Sequence, residues 1–297
     1  MKIKHVTICG SGVLGRQIAF QTAFRGFKVV VYDISQELLK ELNSKFMTLG
    51  ELYKEDLQLS DEDVNKTLSR ISYSFEMSEA VSNADLVIEA IPEILKVKKA
   101  FFSQLGKVAP EKTIFCTNSS TFLPSMFAKE TGRPGRFLAL HFANYIWKNN
   151  TAEIMGHPGT DAKVFELVKD FAKAIGMITL PLLKEQPGYI LNSLQIPFLL
   201  AGMNLYSTGV ADPYTIDKTW MIVNKSPMGP FGTLDIIGFE TVYNVAMNAA
   251  KAGDEQMLKG AKLLKEQYID KGKLGISTGE GFYKYPNPAY QNPEFLG

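Results

Sequence analysis

Short apolar runs alternate with longer amphipathic stretches through the first 185 residues of the chain. The short runs are rich in β-branched residues and predict buried strands, whereas apolar positions at helical spacing predict helices in the longer stretches. The predicted strands are 3–9, 28–32, 71–74, 86–90, 113–116, 137–140, 152–155 and 177–181, and the predicted helices are 14–25, 35–53, 97–108 and 162–175. This alternation is typical of βαβ units, so we expect an α/β domain with a mainly parallel sheet.

The pattern changes near residue 185, where Glu185-Gln186-Pro187-Gly188 indicates a turn or linker. The predicted helices after it are 189–206, 213–221, 239–252 and 255–271, and residues 281–285 are the one candidate strand. We expect Pro197 to kink or shorten the first of these helices. The chain is therefore predicted to fold as an α/β domain at 1–185 and an all-α domain at 186–297.

A glycine-rich segment, Gly10-Ser11-Gly12-Val13-Leu14-Gly15, follows the first predicted strand and opens the first predicted helix. Alone, G-x-G-x-x-G is a weak signal, but this context is the one that a dinucleotide-binding turn requires. The first glycine permits the tight turn, the second lets a pyrophosphate approach the backbone, and the third allows close packing. We therefore expect these residues to bind the pyrophosphate at the helix N-terminus: Gly10, Gly12, Val13, Leu14 and Gly15.

Asp33 ends the second predicted strand, where an acid can accept hydrogen bonds from the adenosine ribose hydroxyls. A carboxylate at this point repels a 2′-phosphate, and the following Ile34-Ser35-Gln36 has no arginine to offset it. The turn and the acid together predict a Rossmann-type domain that prefers NAD to NADP. Without a ligand, the same residues would be a structural turn and a helix-capping aspartate.

Composition excludes several other classes. The formal net charge is +1, so no overall field favours nucleic acid or an anionic membrane surface as a partner. The two cysteines, Cys9 and Cys116, lie in apolar strands and lack zinc-site spacing, so we expect neither a disulfide framework nor a metal site. No apolar run is long enough to span a membrane, and the first predicted strand begins almost at once, so we expect no leader and a cytoplasmic location.

Polar residues follow several predicted strands, at the edge where open α/β sheets bind ligands. Ser119 and Ser120 follow the strand at 113–116, and His141 follows the strand at 137–140. Glu153 lies 12 residues beyond His141, on or beside the next strand. A histidine with a carboxylate partner suits general acid–base catalysis, in which it takes a hydroxyl proton while hydride leaves for a nicotinamide. From the residues alone, His141 is either this catalyst or a buried core histidine.

Several ordered motifs resemble the 3-hydroxyacyl-CoA dehydrogenase family over nearly the whole chain. The motifs are Thr117-Asn118-Ser119-Ser120, Arg136-Phe137 with His141-Phe142-Ala143-Asn144, Pro187-Gly188-Tyr189-Ile190-Leu191-Asn192, Pro227-Met228-Gly229-Pro230-Phe231 with Asp235, and Thr278-Gly279-Glu280-Gly281-Phe282-Tyr283. The resemblance implies NAD-dependent interconversion of an (S)-3-hydroxyacyl-CoA, with a short acyl chain expected, and its 3-oxo form. It also implies a homodimer formed through the helical domain.

The resemblance assigns roles by position. It implies that His141 is the catalytic base and Glu153 its partner, that Ser120 contacts the substrate oxygen, and that Asn192 completes the catalytic set. The residues that it implies to lie at the cofactor are Glu93, Lys98 and Asn144.

The chain also departs from the family pattern. Ala143 and Tyr145 replace the second phenylalanine and the proline of His-Phe-Phe-Asn-Pro, Ser193 replaces an arginine, and Ser277 replaces a lysine. Family members bind CoA partly through lysines after the second strand, but here residues 45–66 hold three lysines against six acids, a net charge of −3. Unless Lys45 and Lys54 face the ligand, such a segment is a poor CoA site. A CoA-free 3-keto acid or diketone is therefore an alternative substrate, and a non-catalytic NAD(H)-binding protein, as some related lens crystallins suggest, is an alternative of another class.

Overall fold

The computed structural model describes residues 2–251 and 255–297. The chain divides into two compact units, Met1–Ile190 and Leu191–Gly297. The linker motif predicted from Pro187 and Gly188 lies at the end of the first unit.

The first unit contains a sheet whose strands lie in the order β3-β2-β1-β4-β5-β6-β7-β8. Its strands are β1 His5–Cys9, β2 Lys28–Tyr32, β3 Ile71–Ser74, β4 Leu86–Glu89, β5 Ile114–Thr117, β6 Phe137–Phe142, β7 Thr151–Met155 and β8 Ile178–Leu182. Neighbouring strands pair in parallel from β3 through to β6, β6 and β7 pair antiparallel, and β7 and β8 pair in parallel. The predicted mainly parallel sheet is confirmed, and no strand bound differs from its prediction by more than two residues.

Helices connect these strands. They are α1 Val13–Phe24, α2 Gln36–Leu57, α3 Asp61–Leu68, α4 Met77–Val81, α5 Leu95–Val108 and α6 Ala162–Ala174. The helix predicted at 35–53 continues to Leu57, and α3, which the prediction left out, follows with Ser60 as its N-cap. Ser60 and Asp63 form a reciprocal capping box, which satisfies backbone N–H groups at the start of α3.

Apolar residues on both faces of the sheet form the core of the first unit. Along β6, Leu138, Leu140 and Phe142 face one core cluster, whereas Phe137 packs in the cluster on the other face. Because side chains alternate along a strand, His141 has the same orientation as Phe137 and Ala139. Apolar packing on both faces of the sheet therefore fixes β6, the strand that carries His141.

The second unit is helical. Helix α7, Tyr189–Ser207, begins with the last two residues of the first unit and continues into the second. The helices after it are α8 Pro213–Asn224, α9 Pro230–Ile237, α10 Phe239–Lys251 and α11 Glu255–Gln267. Helix α9 was not predicted, and the helix predicted at 255–271 ends earlier, with a separate 3₁₀ turn at Ile269–Lys271. The last residue predicted for α10, Ala252, lies outside the described residues. The expected shortening at Pro197 is wrong, because α7 continues through this proline to Ser207.

The strand predicted at 281–285 is also wrong. The described residues of this segment form isolated bridges, Gly275 with Glu280 and Glu280 with Lys284, and no regular strand. Side-chain hydrogen bonds hold the segment instead, because Asp235 accepts from the backbone N–H groups of Phe282 at 2.8 Å and Tyr283 at 2.9 Å. In the residues that the structure describes, no helix is long and apolar enough to cross a membrane.

Two buried aspartates organise the second unit. Asp217 accepts hydrogen bonds from the backbone N–H groups of Phe231 and Gly232, each at 2.9 Å, and so caps the N-terminus of α9 from another helix. The hydroxyl of Tyr283 also donates to Asp217 at 2.9 Å. Burial raises the pKa of Asp235 to about 6 against the hydrogen bonds that it accepts. The Pro-Met-Gly-Pro-Phe motif therefore has a structural role, since a Cβ at Gly229 would lie 2.4 Å from the Asp217 carboxylate.

Candidate active site

The glycine turn lies between β1 and α1. Gly10 has φ +107°, and a Cβ there would lie 2.4 Å from the carbonyl oxygen of Ala90. A Cβ at Gly15 would lie 2.0 Å from the carbonyl oxygen of Gly10, so this glycine allows the helix to pack against the turn itself. At Gly12, by contrast, a Cβ would meet none of the described heavy atoms within 4 Å. Packing within the described residues therefore does not require glycine at position 12. The open space beside it fits the predicted approach of a pyrophosphate.

The N-terminus of α1 faces the same turn. Among the described residues no side chain caps Gly12, and the first turn of α1 carries no acidic residue. Val13 and Leu14 are the first two residues of α1. The backbone N–H groups at the start of an α-helix have no hydrogen-bond acceptor within that helix. Uncapped N–H groups and the positive end of the helix dipole favour an anion, so the turn and helix start fit a dinucleotide.

Asp33 is joined to the glycine turn. Its Oδ2 accepts hydrogen bonds from the backbone N–H of Ser11 at 2.8 Å and from the Ser11 hydroxyl at 2.6 Å. The backbone N–H of Ser35 lies 3.3 Å from Oδ1. Two donors on one oxygen fix the orientation of the carboxylate beside the turn, a contribution of Ser11 that the sequence analysis did not identify.

His141 and Glu153 form a buried pair across two strands. They are directly opposite in the antiparallel register of β6 and β7, so their side chains lie on the same face of the sheet. His141 Nδ1 lies 3.0 Å from Glu153 Oε2, and the residues are 6% and 3% exposed. On the other side of the ring, His141 Nε2 lies 3.1 Å from the Oγ of Ser120. The carboxylate favours a proton on Nδ1, which leaves the lone pair of Nε2 toward Ser120.

Backbone and aromatic contacts hold this pair in place. The N–H of Ile190 donates to Glu153 Oε1 at 2.8 Å, so the carboxylate that meets the imidazole is also bound by the main chain. The ring of Tyr189 stacks on the imidazole with centroids 4.4 Å apart. The Tyr189 hydroxyl donates to the carbonyl of Ser119 at 2.8 Å, and burial raises the pKa of the phenol, so it remains a donor. Sequence reasoning placed Tyr189 in a motif but gave it no role.

Glu93 and Lys98 belong to a charged cluster beneath the Ser120 loop. Lys98 is 1% exposed, and its Nζ lies 2.5 Å from Glu89 Oε1 and 3.1 Å from Glu93 Oε2. Glu93 Oε1 accepts hydrogen bonds from the hydroxyl of Ser119 and from the N–H of Thr121, the latter at 3.0 Å. Burial raises the pKa of Glu93, but the hydrogen bond from Ser119 and the charge of Lys98 outweigh it and leave that pKa below its usual value.

This cluster orients the loop that carries Ser120. Glu89, which the prediction treated as part of a strand, also accepts from the hydroxyl of Thr117 at 2.7 Å. Removing one partner from such a buried ion pair is strongly destabilising, so Glu89, Glu93 and Lys98 depend on one another for their positions. The expected contact of Glu93 and Lys98 with a cofactor stays a prediction, and the structure gives both a definite second role.

The loop after His141 is held against α1. Gln17 Oε1 accepts from the backbone N–H of Tyr145 at 2.7 Å, and Tyr145 has φ +58°. A proline can satisfy neither condition, since it lacks the N–H and its φ is fixed near −65°. The departure from the family pattern at Tyr145 therefore changes how this loop is attached. Asn144, which precedes it, is exposed, and its carbonyl accepts from the side chain of Asn149 at 2.8 Å.

The remaining predicted residues lie elsewhere. Asn192 is partly buried on α7 in the second unit. The two other histidines make contacts away from His141: His157 contacts the carbonyl of Pro134 at 3.0 Å, and His5 lies 3.6 Å from Asp85. Among the residues that the structure describes, no group of His, Cys, Asp or Glu side chains could hold a metal ion.

Both lysines considered for a CoA site are paired with acids. Lys45 Nζ lies 2.6 Å from Glu41, and Lys54 Nζ lies 2.6 Å from Asp61 and 3.0 Å from Glu51. The acidic tail of α2 is joined to the loop after β6, because Asp56 accepts from the indole N–H of Trp147 at 2.8 Å. The carboxylates paired with Lys45 and Lys54 would compete with a phosphate group for these two lysines.

A mainly parallel sheet, a glycine turn that opens the first helix and an acid fixed beside that turn are the features of a dinucleotide-binding Rossmann-type domain. The model of the 3-hydroxyacyl-CoA dehydrogenase NAD-binding domain matches residues 5–186, and the model of the C-terminal domain of the same enzymes matches residues 188–285. The chain belongs to the 3-hydroxyacyl-CoA dehydrogenase family, and its cofactor is NAD.

Individual relatives agree with this assignment. The chain is 36% identical over 288 residues to the human mitochondrial hydroxyacyl-coenzyme A dehydrogenase, covering 95% of this chain and 91% of that protein. It is similar to a solved diketoreductase, studied for substrate-directed dual catalysis of dicarbonyl compounds, with 50% identity, a TM-score of 0.93 and coverage of 96% of this chain and 100% of the other. The (S)-3-hydroxybutyryl-CoA dehydrogenase of Ralstonia eutropha is 26% identical with a TM-score of 0.82, over 96% of this chain and 100% of that one.

Proposed function

We propose that this chain catalyses the reversible, NAD-dependent interconversion of a 3-hydroxy carbonyl compound and the corresponding 3-oxo compound. The observation that carries the proposal is the continuous series of contacts from Ser120 through His141 to Glu153, at 3.1 and 3.0 Å. General acid–base catalysis by a positioned side chain contributes about 10²–10⁴-fold to such reactions.

Each residue of the series has a distinct task. In the oxidation direction, Nε2 of His141 takes the proton of the substrate hydroxyl, and Glu153 stabilises the imidazolium that forms. Ser120 donates a hydrogen bond to the substrate oxygen as its charge changes. Bound NAD supplies the hydride acceptor. Asn192 is proposed as a further member of the catalytic set on the basis of the family resemblance.

The residues proposed to hold NAD are those around the glycine turn and the Ser120 loop. Gly10, Gly12 and Gly15, with the N–H groups of Val13 and Leu14, are proposed to bind the pyrophosphate, and Asp33 is proposed to bind the adenosine ribose. Glu93, Lys98 and Asn144 are proposed to lie toward the nicotinamide end. The role of Asp33 rests on the carboxylate that Ser11 fixes beside the turn.

We propose further that the preferred substrate is a small 1,3-dicarbonyl compound without CoA. The neighbouring carboxylates compete with a CoA phosphate for Lys45 and Lys54. Exposed ion pairs are individually weak, so the net charge of −3 over residues 45–66 is the stronger obstacle to a polyanionic ligand. The 50% identity to a diketoreductase, against 36% to an acyl-CoA enzyme, supports the same choice. An acyl-CoA thioester is the competing candidate, because the family as a whole is defined by that substrate.

A steady-state comparison with NADH tests both levels of the proposal. Acetoacetyl-CoA, acetoacetate and pentane-2,4-dione are assayed with the wild-type protein and with the His141→Asn variant. We expect the CoA-free compounds to give the higher kcat/KM, and His141→Asn to abolish turnover of all three.

The outcomes separate the substrate class from the reaction. A higher kcat/KM for acetoacetyl-CoA would contradict the CoA-free assignment and leave the reaction in place. Turnover of none of the three compounds by wild-type protein that binds NADH would support a non-catalytic NAD(H)-binding protein instead.

We also propose that the chain forms a homodimer through its helical unit, as the family resemblance implies. Helices α7 and α8 carry a groove of about 410 Å³ with mostly apolar lining, including Phe198, Leu205, Trp220 and Val223. Trp220 and Val223 are 39% and 74% exposed in the single chain, and exposed apolar surface of this kind marks interaction sites. Light scattering coupled to size-exclusion chromatography should give a mass near twice 33.0 kDa, and a monomer at micromolar concentration would contradict the proposal.

A further inference from the structure

The ring of Tyr189 lies flat against the imidazole of His141. The two ring centroids are 4.4 Å apart, and the planes differ by 17°. Tyr189 is 1% exposed and packs with Ala139 and Met155, so the ring has little freedom to move. A stacked neighbour at this distance limits rotation of the imidazole about its bond to Cβ, because a turned imidazole would collide with the tyrosine ring.

The same residue also fixes the loop that carries Ser120. The Tyr189 hydroxyl donates to the backbone carbonyl of Ser119, the residue directly before Ser120, at 2.8 Å. The next residue along the chain, Ile190, donates its N–H to Glu153 at 2.8 Å. Residues 189–190 therefore contact the imidazole, the backbone beside the serine, and the carboxylate.

The backbone of Tyr189 adopts a conformation that a non-glycine residue seldom takes. Its φ is +56°, and Gly188 before it has φ +78°. A left-handed conformation at a bulky residue has an energetic cost and persists only where the surroundings hold it. Here the stack on the imidazole, the apolar contacts and the hydrogen bond to Ser119 hold the residue and offset the cost of its backbone conformation.

We propose that Tyr189 is a positioning residue for His141 in the reaction proposed above, on which this inference rests. The flat ring keeps Nδ1 of the imidazole toward Glu153 and Nε2 toward Ser120, while the hydroxyl holds Ser120 at the correct distance. The face of the aromatic ring also stabilises the imidazolium that forms when His141 takes the substrate proton.

Paired substitutions test the proposal by kinetics. Tyr189→Leu removes the ring and should lower kcat about 10- to 100-fold, with the KM for NADH changed by less than about twofold. Tyr189→Phe keeps the ring and removes the hydroxyl, so it should recover most of the loss and retain a decrease of about two- to tenfold. An unchanged kcat in folded Tyr189→Leu would overturn the proposal, and if that variant does not fold, an unchanged kcat in Tyr189→Phe would do so.

Tyr53 offers a matched control in the same unit. It is likewise fully buried, and its hydroxyl donates to Gln21 Oε1 at 2.7 Å. Tyr53→Leu and Tyr53→Phe should lower the unfolding temperature but leave kcat within about twofold, since the first removes packing and the second a hydrogen bond, neither of them at the imidazole. An equal loss of kcat in the Tyr53 and Tyr189 variants would mean that Tyr189 acts through stability alone, which contradicts the proposal.

A measurement without turnover separates this inference from the proposed function. The chain has three histidines, so the imidazole ¹⁵N signals of His141 can be assigned by comparison with His141→Asn. In the neutral wild-type imidazole, one tautomer, with the proton on Nδ1, should dominate. Tyr189→Leu should show a mixture of tautomers or a broadened signal, whether or not the wild type reduces any test compound. A single tautomer in both proteins would overturn the positioning role.

Discussion

Gly12 and Gly15 lie in the same turn, yet an added methyl group meets open space at the first and a carbonyl oxygen at the second. Gly15→Ala should therefore destabilise the fold by several kcal/mol (about 3 or more), because backbone must shift to relieve the contact. Gly12→Ala should change the unfolding free energy by less than about 1 kcal/mol and weaken NADH binding at least about tenfold. Thermal unfolding and fluorescence titration with NADH check the contrast. Tight NADH binding by folded Gly12→Ala would argue against pyrophosphate binding at this glycine.

Glu153 should matter to catalysis through its charge and its orientation of His141. Glu153→Gln keeps the size of the side chain but loses the charge that stabilises the imidazolium, so kcat should fall about 10²–10³-fold. The kcat of His141→Asn should fall at least as far, and the kcat of the double variant should be little lower, since the two residues act as a unit. Stopped-flow measurement of NADH oxidation checks all three proteins, with NADH affinity as the control. Additive losses in the double variant would mean that the residues act separately.

Asp33 should determine the choice between NADH and NADPH. Asp33→Asn retains an oxygen that can accept from Ser11 but removes the charge that repels a 2′-phosphate. The ratio of kcat/KM for NADPH to that for NADH should rise about tenfold or more. Asp85→Asn is the matched control, because Asp85 is a buried aspartate at the other end of the strands, bound to the N–H groups of Lys4 and His5 at 2.9 and 3.0 Å. A similar rise in both variants would contradict a local effect of the Asp33 charge.

Tyr145 should not tolerate the proline that is typical of the family at its position. Tyr145→Pro loses the hydrogen bond to Gln17 and excludes φ +58°, so it should destabilise the protein by about 2–4 kcal/mol. Tyr145→Gly keeps the N–H and accepts positive φ, so its stability should stay within about 1 kcal/mol of the wild type. Urea unfolding of the two variants gives the comparison. Equal stability of Tyr145→Pro and Tyr145→Gly would show that the loop adopts another conformation in solution.

The buried carboxyl of Asp235 should give the stability a defined pH dependence. Burial raises its pKa to about 6 in the folded protein, above its ordinary value of 3.8, so the folded state binds more protons than the unfolded state between these values. This contribution is complete below about pH 4 and is lost as the pH rises toward about 6. The difference in unfolding free energy between wild type and Asp235→Asn should therefore fall by about 1–3 kcal/mol over this range. A difference that stays constant or grows with pH would contradict the assignment.

The sheet was predictable because its strands are buried on both faces and stand out as continuous apolar runs. β2 matches its predicted bounds at both ends, and β6 extends only two residues beyond the prediction, through His141 itself. The short helices α3, α4 and α9 were missed. Two of them, α3 and α9, depend on caps, of which the one at α9 comes from Asp217, 13 residues before its first residue. A cap supplied by a different helix leaves no local signal.

Some contacts of the candidate site were likewise predictable from the sequence and others were not. The glycine turn and the contact between His141 and Glu153 were predictable from spacing and motif, because each depends on residues at or near the ends of strands. The contacts of Tyr189 could not be predicted, since its partners Ser119 and His141 lie 70 and 48 residues earlier in the chain and a left-handed tyrosine has no sequence signature. Glu89 was concealed for another reason, because a fully buried acid at a strand end resembles the strand around it until Lys98 is placed beside it.

The antiparallel pairing of β6 and β7 has a consequence for protein engineering. The register of the two strands itself brings the histidine and the glutamate together, and eight residues, 143–150, connect the strands here. The requirements are one hairpin, a backbone donor for the spare carboxylate oxygen, and an aromatic side chain over the imidazole. A designer could therefore graft such a hairpin onto an antiparallel scaffold and obtain an oriented imidazole from three short segments, leaving the surrounding loops free to recognise a new substrate.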